Sequence, residues 1–123
     1  VFLIGKKTVM IADDSIFTRN FMKKMVLEAG AEEVIEAKDG REAIDKYEES
    51  APELVLMDIM MPNMNGLEAI KAIRTKHNDA KIAMYTASNQ EIIIREALNE
   101  GAIDFLPKPI SKEDVFIVVK KYL

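Results

Sequence analysis

Residues 8–14 read TVMIADD, an apolar run that stops abruptly at two aspartates, Asp13 and Asp14. The same plan returns three times. LVLMD at 54–58 ends in Asp58, IAMYT at 82–86 ends in Thr86, and FLPKP at 105–109 carries Lys108 just past its apolar pair. If these four segments are parallel strands of one sheet, Asp13, Asp14, Asp58, Thr86 and Lys108 meet at one edge. Open α/β sheets bind their ligands there, beyond the carboxyl ends of the strands.

Outward from these runs the periodicity alternates. Short apolar segments occupy 9–12, 34–37, 54–57, 82–85 and 104–106. Residues 15–29, 41–49, 66–76, 90–100 and 111–122 repeat apolar side chains at helical spacing, as Phe21, Met25 and Ala29 do. Gly30, Gly101 and the turn from Asn63 to Gly66 supply stop and start signals, and Ser111 to Asp114 has the form of a capping box. Five strands and five helices in strict alternation predict a doubly wound α/β fold, a parallel sheet with helices on both faces reached by right-handed crossovers. A series of this length points to a flavodoxin-like sheet rather than a two-half dinucleotide fold. No G-x-G-x-x-G follows the first strand and no G-x-x-x-x-G-K-[ST] occurs anywhere, so nucleotide binding lacks its usual cradle. With 123 residues and no linker, repeat or low-complexity segment, a single domain over 1–123 is expected.

Composition removes several functions. Hydrophobic residues at 49% and charged ones at 31% describe a globular chain. There is no cysteine, and the single histidine, His77, lies in the polar stretch TKHNDAK, where an exposed loop residue is expected. Ser-His and Cys-His triads and multi-His zinc sites are therefore excluded. Seventeen basic residues against 21 acidic ones give a net charge of -4, with the basic residues scattered, which disfavours direct nucleic-acid binding. No apolar run approaches a membrane span, and VFLIGKKTVMIADD does not follow a signal-peptide plan. No membrane insertion and a cytoplasmic location are the expectations.

Three converging carboxylates repel one another, so a cation should share their edge. A few hard oxygen ligands with room for water suit Mg²⁺ better than zinc or a many-liganded Ca²⁺ cage. Three aspartates, Lys108 and Mg²⁺ then sum to no net charge (-3 +1 +2 = 0). An aspartate so neutralised can act as a nucleophile and form an aspartyl phosphate. Phosphoryl transfer has a loose transition state and asks for positioning and charge stabilisation, which this set supplies without histidine or cysteine. Taken singly, each residue has an ordinary structural explanation: Asp13 and Asp14 as helix caps, Asp58 as a turn residue, Thr86 as a cap and Lys108 as a surface cation. Jointly, five of them at one edge by accident is a poor explanation.

The motifs ADDS at 12–15, MDIMMPNMNG at 57–66, YTAS at 85–88 and the pair Lys108-Pro109 occur in the order and spacing of one family, and the whole chain resembles it. The sequence resembles the receiver domains of two-component response regulators, particularly the single-domain chemotaxis type. The resemblance implies strand order 2-1-3-4-5, the order already known for a chemotaxis regulator of this type. It also implies that Asp58 is the site of phosphorylation, that Asp13, Asp14, Asp58 and the backbone carbonyl of Met60 hold Mg²⁺, and that Thr86 and Lys108 bind phosphoryl oxygens. Lys108-Pro109 is expected to be cis, and Met60 and Ser88 to influence how water reaches the phosphate. Thr86 and Phe105 would form the switch. Phosphorylation adds roughly two negative charges, draws Thr86 inward and opens space for the Phe105 ring.

Partners follow from the same resemblance. A sensor histidine kinase or histidine phosphotransfer protein would supply phosphate, with Phe17 and the first helix as its docking region. A downstream protein would read the face formed by the fourth helix, fifth strand and fifth helix. The runs Ile92 to Ile94 and Val115 to Val119 exceed a single buried stripe, so part of each should face outward. The eight methionines are read as core and loop packing rather than a cofactor site. Monomer and phosphorylation-dependent dimer both remain open. Two alternatives stand beside a stand-alone receiver. One is the receiver of a larger regulator; the other is a metal-dependent phosphatase, for which Met60 occupies the place of the expected second acid.

Overall fold

The computed structural model describes residues 6–87 and 91–123; Ser88, singled out in the sequence, lies outside them. The chain runs β1 (Thr8–Ala12), α1 (Ile16–Glu28), β2 (Glu33–Ala37), α2 (Gly40–Ser50), β3 (Leu54–Asp58), α3 (Gly66–Lys76), β4 (Ile82–Thr86), α4 (Glu91–Asn99), β5 (Asp104–Pro107) and α5 (Lys112–Tyr122). All pairings are parallel, in the order β2-β1-β3-β4-β5. The expected flavodoxin-like topology is the observed one.

Strand alternation divides the core into two layers, because successive side chains point to opposite faces of a sheet. Met10, Ala12, Val55, Met57, Ile82 and Met84 pack beneath α2, α3 and α4 with Tyr47, Ile70, Ile73 and Ala97. Val9, Ile11, Leu54, Leu56, Ala83, Tyr85 and Leu106 pack beneath α1 and α5 with Met22, Met25, Val26, Val115, Val118 and Val119. β1, β3 and β4 are flanked by strands on both sides and covered on both faces. Their near-continuous apolar runs are what doubly covered parallel strands require.

Helix ends are set by side chains. Ser15, Asp39, Asn65 and Ser111 are N-caps, each accepting a hydrogen bond from the backbone N–H three residues on; each is typically worth about 1 kcal/mol. The reciprocal box is complete at Asn65 and Glu68. At Ser111 the bond present is the serine half, from the Asp114 N–H. Gly30 and Gly101, at φ 123° and 104°, end α1 and α4 as the sequence predicts.

Three expectations need correction. Phe21, assigned to the buried stripe of α1, is half exposed, and Met22 and Val26 carry the stripe with Met25. His77 lies just past α3 as expected but is only partly exposed: its Nε2 lies 2.9 Å from Glu48 Oε1 and its ring packs 5.0 Å from that of Tyr47, tying the end of α3 to α2. Met60 does not pack; its side chain is largely exposed, whereas Met57 is fully buried.

Candidate functional site

The strand parity that builds the core layer beneath α1 and α5 also builds the site. Val9 and Ile11 face α1 and α5, and one residue past β1 the same parity reaches Asp13. Leu54 and Leu56 lead to Asp58 in the same way, and Leu106 leads to Lys108. Asp13 and Asp58 are buried while Asp14 is exposed at the rim. One carboxylate oxygen from each of the three lies within 4.8 Å of the others. Lys108 Nζ sits 3.3 Å from Asp58 Oδ2, with the lysine one quarter exposed. The Lys108-Pro109 peptide is cis.

Each buried acid is held firmly. Asp13 Oδ1 accepts the Ser15 N–H at 2.8 Å, and Oδ2 accepts the Tyr85 hydroxyl at 2.9 Å. The Asp13 carbonyl accepts from Arg19 Nη1 at 2.7 Å, and Arg19 is itself braced by Glu36 at 3.1 Å. Asp58 Oδ1 accepts the Met60 N–H at 3.1 Å. Burial pushes the Asp58 carboxyl up to about 6, against the pull of Lys108 and the Met60 N–H, with Asp13 adding to the rise. Burial, and then the Asp13 charge and hydrogen bond, raise the Tyr85 phenol well above its ordinary range. A positive charge brought beside such a carboxyl favours its ionised form.

The loop after β3 is anchored from outside the acid cluster. Asp39, the N-cap of α2, accepts from Asn63 Nδ2 at 3.2 Å, and the Gly40 N–H donates to the Met64 carbonyl at 2.9 Å. The backbone bond to Glu42 and the contact with Asn63 hold the Asp39 carboxyl below its usual range despite burial. Gly66 N–H donates to Ile59 O at 2.8 Å, where a Cβ would run into the Asp58 carbonyl and Met84.

Thr86, buried at the end of β4, has the opposite parity and belongs with Met84 on the α3–α4 side. Phe105 pairs with Met84 across β4 and β5 and packs half-buried on that same layer. Asp13, Asp14, Asp58 and Lys108 are thus brought together, while Phe105 belongs to the layer behind them. Three participants escaped sequence reading: Tyr85, Arg19 and the Asp39–Asn63 anchor. Tyr85 had a signal, because a tyrosine inside a buried strand must find a partner for its hydroxyl. The other two depend on side chains that meet only in the folded chain.

The donors brought together among the described residues are three carboxylates, crowded and partly open to solvent through Asp14. That suits Mg²⁺, which prefers oxygen ligands and keeps several waters. An acidic, lysine-bridged pocket at the carboxyl edge of a doubly wound parallel sheet defines the class of protein. The chain belongs to the response regulator receiver domain family, which it matches over residues 9–120, and it is a receiver of the chemotaxis type. It is 43% identical over 115 residues to the chemotaxis protein CheY of Thermotoga maritima, covering 94% of this chain and 96% of that one. Its fold superposes with a TM-score of 0.88 on chemotaxis protein CheY4 of Vibrio cholerae, at 30% identity over 97% of this chain and 100% of the other. It matches equally, at 0.88 and 29% identity, a chain of the CheX-CheY-BeF3-Mg+2 complex from Borrelia burgdorferi, covering 94% of this chain and 89% of that one.

Proposed function

We propose that this receiver, over the whole of residues 1–123, takes a phosphoryl group onto Asp58 from the phosphohistidine of a sensor kinase or phosphotransfer protein. A carboxylate oxygen of Asp58 forms the new P–O bond, the P–N bond breaks, and the imidazole nitrogen regains a proton. The observation that carries this is the convergence of Asp13, Asp14 and Asp58 with Lys108 Nζ 3.3 Å from Asp58 Oδ2. Asp13, Asp14, Asp58 and the Met60 carbonyl would hold Mg²⁺, which when bound supplies positive charge to the phosphoryl oxygens. The presence of Mg²⁺ in the similar Borrelia assembly supports that choice of cation.

Lys108 exchanges its carboxylate partner for a phosphoryl oxygen, keeping its ammonium at the site throughout. The Thr86 hydroxyl binds another phosphoryl oxygen. Moving Thr86 frees space on the α3–α4 side, where Phe105 packs, and the aromatic ring turns into it. Phosphate in this way shifts a two-state equilibrium of the face built from α4, β5 and α5. Ile92 on α4 and Ile117 on α5 are exposed there, at 71% and 63%, and offer a downstream protein an apolar grip. Phe17, 83% exposed on α1, fits docking of the phosphodonor. The chain assists its own phosphorylation and hydrolysis and turns over no outside substrate. No described helix is long and apolar enough to cross a membrane, in keeping with a protein that signals by contact with other proteins.

Incubation with acetyl phosphate, with and without Mg²⁺, tests the reading by intact mass. A phosphoryl adduct that requires both the metal and Asp58 is expected, absent from Asp58→Asn. An adduct that persists in that variant places the acceptor elsewhere.

A further inference from the structure

Tyr85 is fully buried in the layer beneath α1 and α5, where its neighbours are Ile11, Leu56, Ala83 and Leu106. A hydroxyl is out of place in such company unless it has a partner to serve. Here it donates to Asp13 Oδ2 at 2.9 Å, and the face of the same ring lies 5.3 Å from Lys108 Nζ. One side chain therefore meets both an acid and the cation of the site. Its backbone carbonyl also accepts the Ile59 N–H, directly after Asp58.

We propose that Tyr85 is a positioning residue for the acidic pocket, its hydroxyl fixing the plane of the Asp13 carboxylate for a divalent cation and its ring seating Lys108. The assignment rests on the Mg²⁺ reading given above. Two effects of the hydroxyl oppose each other. A donor lowers the basicity of the carboxylate, which weakens its pull on a cation. It also stops rotation about a torsion that is otherwise broad, and Mg²⁺ demands near-ideal octahedral geometry. With Oδ1 held by Ser15 and Oδ2 by Tyr85, the carboxylate is clamped at both oxygens. Among three acids whose oxygens already crowd within 4.8 Å, orientation outweighs basicity. Tyr85 also precedes Thr86, so β4 carries the phosphoryl-sensing hydroxyl and the carboxylate clamp on adjacent residues facing opposite core layers.

The test compares wild type with Tyr85→Phe, which deletes one hydroxyl and keeps the ring. Mg²⁺ affinity is read by calorimetry, and the rate of Asp58 phosphorylation by acetyl phosphate is followed against Mg²⁺ concentration. Affinity should fall about tenfold, the usual scale for losing a hydrogen-bond partner of a metal ligand. The half-saturating Mg²⁺ concentration should rise in proportion while the plateau rate is retained. Equal or tighter binding by the variant overturns the assignment, and so does a lowered plateau at unchanged half-saturation. A second readout needs no variant: in wild type the buried Tyr85 hydroxyl proton should give a slowly exchanging NMR resonance that shifts on adding Mg²⁺, and a resonance that ignores the metal also overturns it. If wild type itself fails to bind Mg²⁺, the metal reading falls and this assignment with it, an outcome distinct from equal affinity of the two proteins.

Discussion

Replacing Asp58 by asparagine should make the metal-free protein more stable at neutral and alkaline pH. In the fold, burial lifts the carboxyl from 3.8 to about 6 even with Lys108 beside it. Each unit of such a difference corresponds to about 1.4 kcal/mol, so the ionised carboxylate weakens the native state by about 3 kcal/mol. The sign follows from proton linkage. A group that holds its proton more tightly in the fold contributes stability that is complete below its unfolded value, near 3.8, and is lost as the pH rises through about 6. Asparagine keeps the shape and cannot ionise, so its advantage over wild type should be small near pH 4 and reach about 2–3 kcal/mol by pH 8. For a chain of this size that is roughly 10 °C in Tm. Urea unfolding followed by circular dichroism at several pH values, without metal and then with excess Mg²⁺, measures it. Mg²⁺ should narrow the gap by stabilising wild type, because a ligand that binds only the folded state adds to its stability. A gap of constant size from pH 5 to pH 8, on the order of the same few kcal/mol, or an asparagine variant weaker than wild type at the upper end, would refute the claim that charge at Asp58 is the cost.

Gly66→Ala should destabilise by about 1–3 kcal/mol through overpacking, because its Cβ would lie 2.6 Å from Met84 Cε and 2.8 Å from Ile59 Cα; urea unfolding reads the loss, and a slowed acetyl phosphate reaction would show the Asp58 backbone displaced with it. Ala51→Gly should gain about 0.5 kcal/mol in the same assay, since Ala51 ends α2 at φ 43°, where relief of left-handed strain exceeds the entropy glycine brings. Ile92→Ser and Ile117→Ser should each change stability by less than about 0.5 kcal/mol while weakening capture of a downstream partner, because both side chains stand in solvent; a loss of several kcal/mol, of the kind Ile70→Ala should give at about 2–5 kcal/mol, would make them core residues instead.

Much of the fold was legible because doubly covered parallel strands and amphipathic helices leave different periods in the chain. The edge of the sheet was legible too, since β3 and β4 end in a polar residue and β1 and β5 are followed by one, and Asp13, Asp58 and Lys108 fall together as parity demands. The spatial order of the strands carries no such signature; 2-1-3-4-5 came from family resemblance and not from the residues. What periodicity could not resolve was which apolar residues lie just outside the stripe. Phe21 keeps helical spacing with Met25 yet is half exposed and lies outside the core layer that Met22, Met25 and Val26 join. The runs in α4 and α5 were rightly read as too broad for one buried face, but the outward members are Ile92 and Ile117, while Ile94 and Phe116 are only partly exposed. The contacts of His77 were hidden because its partners, Tyr47 and Glu48, are on α2, far away in sequence. Tyr85 was counted as one more apolar strand residue, and the lesson is chemical: a hydroxyl in a buried strand announces a polar neighbour that the strand itself does not contain.

Among the described residues the order β2-β1-β3-β4-β5 leaves two strands each with an unpaired flank, and the two are guarded differently. β2 opens with the exposed carboxylate of Glu33, and β5 is four residues long and ends in the exposed Pro107, which has no N–H to offer a newcomer. Short length, charge and proline are the means by which open sheets resist joining edge to edge. A crowded solution of this protein should therefore stay dispersed rather than grow ribbons, and association between copies would have to proceed through helical surfaces.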